Sequence, residues 1–240
     1  MLLFFNKPEK RLIVYYYITV KSLKKLKTLA KWIKSKILDI LVPEEERVHK
    51  LLTLSPASML NILPKSPVHS GDLFVIFDYQ NKNVRLIVKS IKYKNNPGLR
   101  RRVAGYMHEE ILEMCSEMSL FKGSAPLLVP MPMSKKEKRQ RGFNQCEELV
   151  KEIKKMGDKE IEISCNALRK TRETERQTKL SREKRLENVK YSMAADSSAV
   201  RGRILIVLDD VYTTGASMIE ARRALLSAGA CRAIGLFIAH

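Results

Sequence analysis

The stretch ILIVLDDVYTTGAS, residues 204–217, decides how the chain folds and what it can hold. Ile204–Leu208 is an unbroken apolar run, which predicts a strand covered on both faces. Two carboxylates, Asp209 and Asp210, follow it directly, and Val211 and Tyr212 lead into Thr213, Thr214, Gly215, Ala216 and Ser217. A helix is predicted from Ala216 to Ala228, with Gly229 as its stop. Ligands of open α/β sheets sit beyond the carboxyl ends of strands, where this turn falls. Its hydroxyls, a glycine that lets backbone approach closely and the positive end of the helix dipole together form a phosphate cradle. Capping of an ordinary strand-to-helix turn explains one hydroxyl. It does not explain an acid pair ahead of Thr-Thr-Gly. Carboxylates repel phosphate but accept hydrogen bonds from sugar hydroxyls, so a ribose 5-phosphate group satisfies both halves. No glycine-rich loop ending in Gly-Lys-Ser/Thr is present, which excludes a Walker-type site.

Outward from this stretch, the rest of the chain from Gly71 alternates between strand and helix patterns. Arg232–Ile238 predicts a further strand after the helix. Upstream, Leu73–Phe77 predicts a strand, Val84–Tyr93 a helix ending near 95–98, and Leu99–Phe121 a longer helix. Val103, Met107, Ile111, Met114 and Met118 form the core face of that helix. Leu127–Val129 predicts a brief strand, Asn144–Met156 a helix and Ile161–Ile163 a strand. After Leu168 an arginine-rich loop precedes a short helix. Such an order implies parallel crossovers, hence an α/β, mostly parallel twisted sheet flanked by helices.

The first 70 residues read differently. Residues 21–42 place Leu23, Leu26, Ala30, Ile33, Ile37 and Leu41 at helical spacing among lysines. A basic amphipathic helix of this kind packs on its own domain, lies on a membrane or holds a partner. Residues 43–70 carry Pro43, Pro56, Pro64 and Pro67 and predict an irregular linker with a short helix at most. Two regions are therefore expected: 1–70, a basic helical appendage with linker, and 71–240, the α/β domain.

Composition narrows the function classes. The 240 residues include 45 basic and 26 acidic side chains, a formal net charge of +19, which favours phosphate-rich partners. Four widely spaced cysteines without a CxxC exclude a disulfide scaffold and a thiolate zinc site; all four are expected to be buried apolar residues. The apolar stretch Leu12–Val20 is far shorter than the roughly 20 residues of a membrane span. In MLLFFNKPEKR the charges follow the apolar residues, the reverse of a signal peptide, so a cytoplasmic protein is expected.

Four ordered motifs carry a family resemblance over residues 77–240. The turn 204–217 resembles the phosphoribosyl pyrophosphate loop of type I phosphoribosyltransferases. VPMPMSKKEKRQRGFNQCEELV (129–150) resembles a segment of the ComF family, the competence-associated branch of that fold. LRKTRETERQTKLSREKRLENV (168–189), with Gln177, Leu180, Ser181, Arg185, Asn188 and Val189, and FDYQNKNVRLIVKSIKYKNN (77–96) resemble further ComF segments.

The resemblance implies a type I phosphoribosyltransferase-like fold that binds phosphoribosyl pyrophosphate with Mg²⁺ and acts in DNA uptake. Asp209 and Asp210 would hold the ribose hydroxyls, and Thr213, Thr214, Gly215, Ala216 and Ser217 the 5-phosphate. The turn through Met133 and Ser134 would be the pyrophosphate loop, with Arg139 and Arg141 behind it and Lys92 a further anion contact. Both arginines read equally well as part of a solvated basic run. Residues 169–185, Arg185 among them, would form the flap over the site. Mg²⁺ would be held through substrate oxygens and water. A transferase would let a nucleophile displace pyrophosphate from the ribose. The alternative is a nucleotide-regulated competence protein that binds single-stranded DNA, with Tyr93, Tyr106 or Phe143 stacking on bases. A protein of the competence machinery is a further candidate partner. The chain departs from the family in one respect: ComF members commonly begin with a cysteine zinc ribbon, and no cysteine precedes Cys115.

Overall fold

The computed structural model describes residues 43–119, 125–157, 161–174 and 182–240. The predicted basic helix of 21–42 lies outside the described residues. The chain divides into two compact units, Met1–Leu51 and Leu52–His240. The described part of the first, from residue 43, is helical from Glu44. Glu44, Glu45 and Glu46 in its first turn suit the positive end of the helix dipole.

The second unit is built on a six-stranded sheet in the order β1-β2-β8-β7-β3-β4. Its strands are β1 (His69–Ser70), β2 (Leu73–Phe77), β3 (Leu127–Pro130), β4 (Glu162–Ile163), β7 (Ile204–Val211) and β8 (Arg232–Ala239). Only the β1–β2 pair is antiparallel; β2–β8, β8–β7, β7–β3 and β3–β4 are all parallel. The expected mostly parallel sheet is what the chain forms. Leu205, Ile206, Val207 and Leu208 of β7 have no exposed surface, as a central parallel strand covered on both faces requires. Helices Lys82–Lys94, Pro97–Ser119, Gln145–Lys154 and Ala216–Ser227 pack against these strands. Asn95, in the left-handed conformation, ends the first of them. Among the described residues, no helix is long and apolar enough to cross a membrane.

Three segments differ from expectation. Residues 43–70 hold two helices, Glu44–Thr53 and Pro56–Asn61, and the edge strand β1, where an irregular linker was expected. Pro56 opens a helix instead of breaking one, because Ser55 caps it and proline has no N–H to lose at the first turn. Residues 64–70 then run beside β2: Ser66 donates to the Ile76 carbonyl and Asp78 to the Pro64 carbonyl, both at 2.9 Å. A small antiparallel pair, β5 (Leu168–Lys170) with β6 (Met193–Ala195), lies where only a loop was expected. The basic run KKEKRQR is a helix, Lys135–Arg141, and not a loop. Ser134 and Glu137 close a capping box at its start, and Gly142 ends it at φ 86°.

Candidate active site

The acid pair sits at the carboxyl end of β7, which continues through it to Val211. Asp210 is buried and fully engaged. Its Oδ2 lies 2.8 Å from Lys92 Nζ and accepts from Gln145 Nε2 at 2.6 Å. Its Oδ1 accepts from the Val211 N–H at 2.7 Å. Burial works against charge on Lys92, but the attraction and bond of Asp210 outweigh it and raise the ammonium above its usual value.

Asp209 is placed differently. Both hydrogen bonds described at its carboxyl fall on Oδ1, from the Asp210 N–H at 2.8 Å and from Cys146 Sγ at 3.5 Å. Enclosure of the carboxyl and the neighbouring Asp210 push Asp209 up to about 7. Burial and Asp209 in turn hold the Cys146 thiol well above its ordinary value, so it is a protonated donor and not a nucleophile.

Beyond the acid pair the chain turns into the helix Ala216–Ser227 with Gly215 as its N-cap at φ 75°. No side chain caps this start. A side chain at 215 would meet the Tyr212 hydroxyl at 2.7 Å, so both conformation and space demand glycine. Tyr212 is itself wedged edge-on against Phe237, with ring centres 5.1 Å apart. The Thr214 hydroxyl is buried with no hydrogen-bond partner among the described residues.

The opposite wall comes from the motif 129–150. Asn144 caps the helix Gln145–Lys154, accepting from the Cys146 N–H at 2.9 Å while donating to the Met131 carbonyl at 3.0 Å. One side chain thus ties the Pro-Met-Pro-Met turn to the helix. Arg141 donates to Gln145 Oε1 and lies 5.5 Å from the centre of the Tyr93 ring. Lys170 donates to Thr174 at 3.0 Å and faces Glu137 at 3.7 Å.

These walls enclose a cavity of about 600 Å³. Of the residues singled out from sequence, Lys92, Arg141, Asp209, Asp210, Val211, Tyr212, Thr213, Gly215, Ala216 and Ser217 line it. Thr214 and Ser134 do not: Ser134 is buried and spends its hydroxyl on capping Glu137 N at 3.2 Å. Arg139 is exposed and away from the cavity. Arg185 falls on the helix Arg182–Val189, its side chain outside the described residues. Residues 175–181 of the expected flap, with Arg176, Gln177, Leu180 and Ser181, also lie outside them.

Sequence reasoning overlooked Gln145, Asn144, Cys146, Glu137 and Lys170, which line the cavity, as do Tyr93 and Met133, both named from sequence. The signal for the first two was the Asn-Gln pair opening a helix beside the arginines. Two other expectations are corrected. Tyr106 cannot stack on bases, being buried, bonded to the Pro56 carbonyl at 3.0 Å and packed on Phe77. Cys115 and Cys146 are buried, whereas Cys165 and Cys231 are exposed.

No protein-family model matches the chain. Among curated proteins it is similar to Competence protein F of Haemophilus influenzae, 25% identical over 171 residues, covering 70% of this chain and 72% of that protein. It is also similar to Competence protein ComFC of Bacillus subtilis, 32% identical over 111 residues, covering 46% of this chain but only 42% of that protein. Similar solved structures include a hypoxanthine phosphoribosyltransferase from Staphylococcus aureus, at 11% identity and TM-score 0.31 over 56% of this chain and 62% of that one. The hypoxanthine-guanine phosphoribosyl transferase of L. donovani matches at 10% identity and TM-score 0.35, over 57% and 67%. Likeness this distant adds nothing to the sheet order and site already described. The fold is a mostly parallel α/β sheet flanked by helices, the architecture that the resemblance to type I phosphoribosyltransferases implies. The chain shares modest sequence similarity with both competence proteins.

Proposed function

We propose that the cavity binds phosphoribosyl pyrophosphate and that the protein transfers the phosphoribosyl group to an acceptor. One observation carries this reading: the β7 acid pair and the side-chain-free helix start at Gly215 open into the same cavity as the cations Lys92 and Arg141. The 5-phosphate is assigned to the turn Thr213–Ser217, where backbone N–H groups and the helix dipole favour an anion. Asp209 is the carboxyl with capacity left for the ribose hydroxyls; Asp210 is anchored to Lys92 and Gln145 and shapes the floor. Arg141 is assigned to the diphosphate.

In the reaction the acceptor's nucleophilic atom bonds to C1 of the ribose as the bond from C1 to the pyrophosphate oxygen breaks. Positioning of the two and neutralisation of the leaving charge dominate such a step. Mg²⁺ suits an oxygen donor such as the Asp209 carboxyl, which is ionised above about 7, and when bound with the diphosphate it would supply positive charge. The Asp209 carboxyl is assigned to hold it or its water.

The competence names of the relatives support a role in DNA uptake. The net charge of +19 supports contact with single-stranded DNA or with an acidic protein of that machinery, and a cytoplasmic location belongs to the same proposal. Calorimetric titration of phosphoribosyl pyrophosphate with Mg²⁺ tests the site. Saturable binding that is lost in the Asp209→Asn, Thr213→Ala double variant is the expected result. Equal binding by both proteins would remove the turn from the reading, and no binding by either would leave DNA as the leading ligand.

A further inference from the structure

We infer that Gln145 is a positioning residue: anchored on the Asp210–Lys92 pair, it holds the Arg141 guanidinium at the cavity as a preset contact for a diphosphate. This rests on the proposed function and identifies what orients its anion site.

Gln145 is only 6% exposed. Its Nε2 donates to Asp210 Oδ2 at 2.6 Å, the oxygen that Lys92 Nζ approaches at 2.8 Å. Its Oε1 accepts from Arg141 Nη1. The Arg141 guanidinium lies over Tyr93, the residue that follows Lys92 on the helix Lys82–Lys94. The contacts therefore close a ring: Lys92, Asp210, Gln145, Arg141, Tyr93. Arginine would otherwise lose considerable side-chain entropy on meeting a ligand. Here the guanidinium is already held on two sides, by the amide and by the aromatic face.

The chemistry of position 145 selects a side chain that both accepts and donates. A guanidinium only donates and a carboxylate only accepts, so the residue between them must accept on one side and donate on the other. Glutamine does this; asparagine is one methylene shorter. Glutamate, ionised, accepts from Arg141 but repels Asp210, while lysine cannot accept from Arg141. A guanidinium has five N–H groups, and the bond to Gln145 leaves others for a bidentate anion.

The test uses the full-length protein, inorganic pyrophosphate and ribose 5-phosphate as separate probes, and the Arg141 Nε–H signal in ¹⁵N NMR. In Gln145→Leu we expect pyrophosphate affinity to fall about tenfold, the scale of a charge-assisted hydrogen bond, with ribose 5-phosphate changed less than twofold. The Arg141 signal, sharp in the unsubstituted protein without ligand, should broaden or average in the variant. Gln145→Glu keeps size and the Arg141 bond. Gln145 itself bonds to Asp210 and Arg141, and Asp209 of β7, Lys92, Tyr93 and Cys146 line the same cavity. Protonated, the new carboxyl donates to Asp210 as the amide did. Its pyrophosphate affinity, relative to the unsubstituted protein at each pH, should recover as pH falls. An unchanged Arg141 signal in Gln145→Leu, an equal loss of both probes, or a pH-independent deficit in Gln145→Glu would each overturn the inference. If the unsubstituted protein binds neither probe, the functional reading falls and the Arg141 signal alone decides the role of Gln145.

Discussion

Asp209 and Asp210 are adjacent in sequence yet carry different duties, and their substitutions separate accordingly. Asp210→Ala leaves Lys92 partly buried without its counter-charge and strips Gln145 of its acceptor. We expect a loss of about 2–4 kcal/mol in chemical denaturation, below the full cost of a wholly buried pair because the Lys92 side chain retains 26% exposure. Asp209 behaves in the opposite sense. Its carboxyl is raised to about 7 from an ordinary value of 3.8, so the folded protein binds the proton more tightly than the unfolded chain does. Its contribution to stability is therefore greatest at low pH and is lost as pH rises from about 4 through 7. Asp209→Asn removes that penalty, and the variant should be more stable than the parent at pH 8, with the difference shrinking towards pH 4. Thermal unfolding across that range checks it; a difference independent of pH would show that enclosure does not strain this carboxyl. The duties themselves were not legible in the sequence, which shows two identical residues side by side. What separates them is the approach of Lys92 and Gln145, from 118 and 65 positions away in the case of Asp210.

At the level of elements, the strand–turn–helix of 204–227 was legible from its own residues, since a β-branched run, an acid pair and Thr-Thr-Gly each have a local physical meaning. Gly215→Ala should destabilise the protein by about 1–3 kcal/mol, through the left-handed φ and the clash with the Tyr212 hydroxyl. It should also weaken phosphoribosyl pyrophosphate binding, which calorimetry reads; unaltered affinity would detach the helix start from the ligand. The helix Lys135–Arg141 was missed because it buries none of its residues and so has no hydrophobic period. Its true signal was the capping box Ser134-x-x-Glu137, two reciprocal bonds that satisfy helix-start donors. The pair β5–β6 was missed for another reason. Leu168 pairs with Ala195, and neither segment has length or alternation enough to announce a strand alone. Asn144→Ala removes a cap and the bond to Met131 together, and about 1–2 kcal/mol should be lost in denaturant unfolding.

Across the molecule, alternation of strand and helix made the sheet legible, but the order of its strands comes from packing that the sequence does not spell out. The net charge of +19 belongs to this scale too. Single-stranded DNA, if bound along a phosphate track, should lose affinity steeply between 50 and 200 mM salt, with log K falling linearly in log salt. Affinity indifferent to salt would exclude such a track. The sheet order has a consequence in time. β8 lies between β2 and β7, so Leu73 finds its partner Gly235 about 160 residues later. At the ribosome's roughly 5–20 residues per second, β2 waits on the order of 10–30 s for that neighbour. Until β8 arrives, the open edges of β2 and β7 are templates for pairing with other chains. The nascent chain therefore exposes both edges until Arg232–Ala239 slots between them.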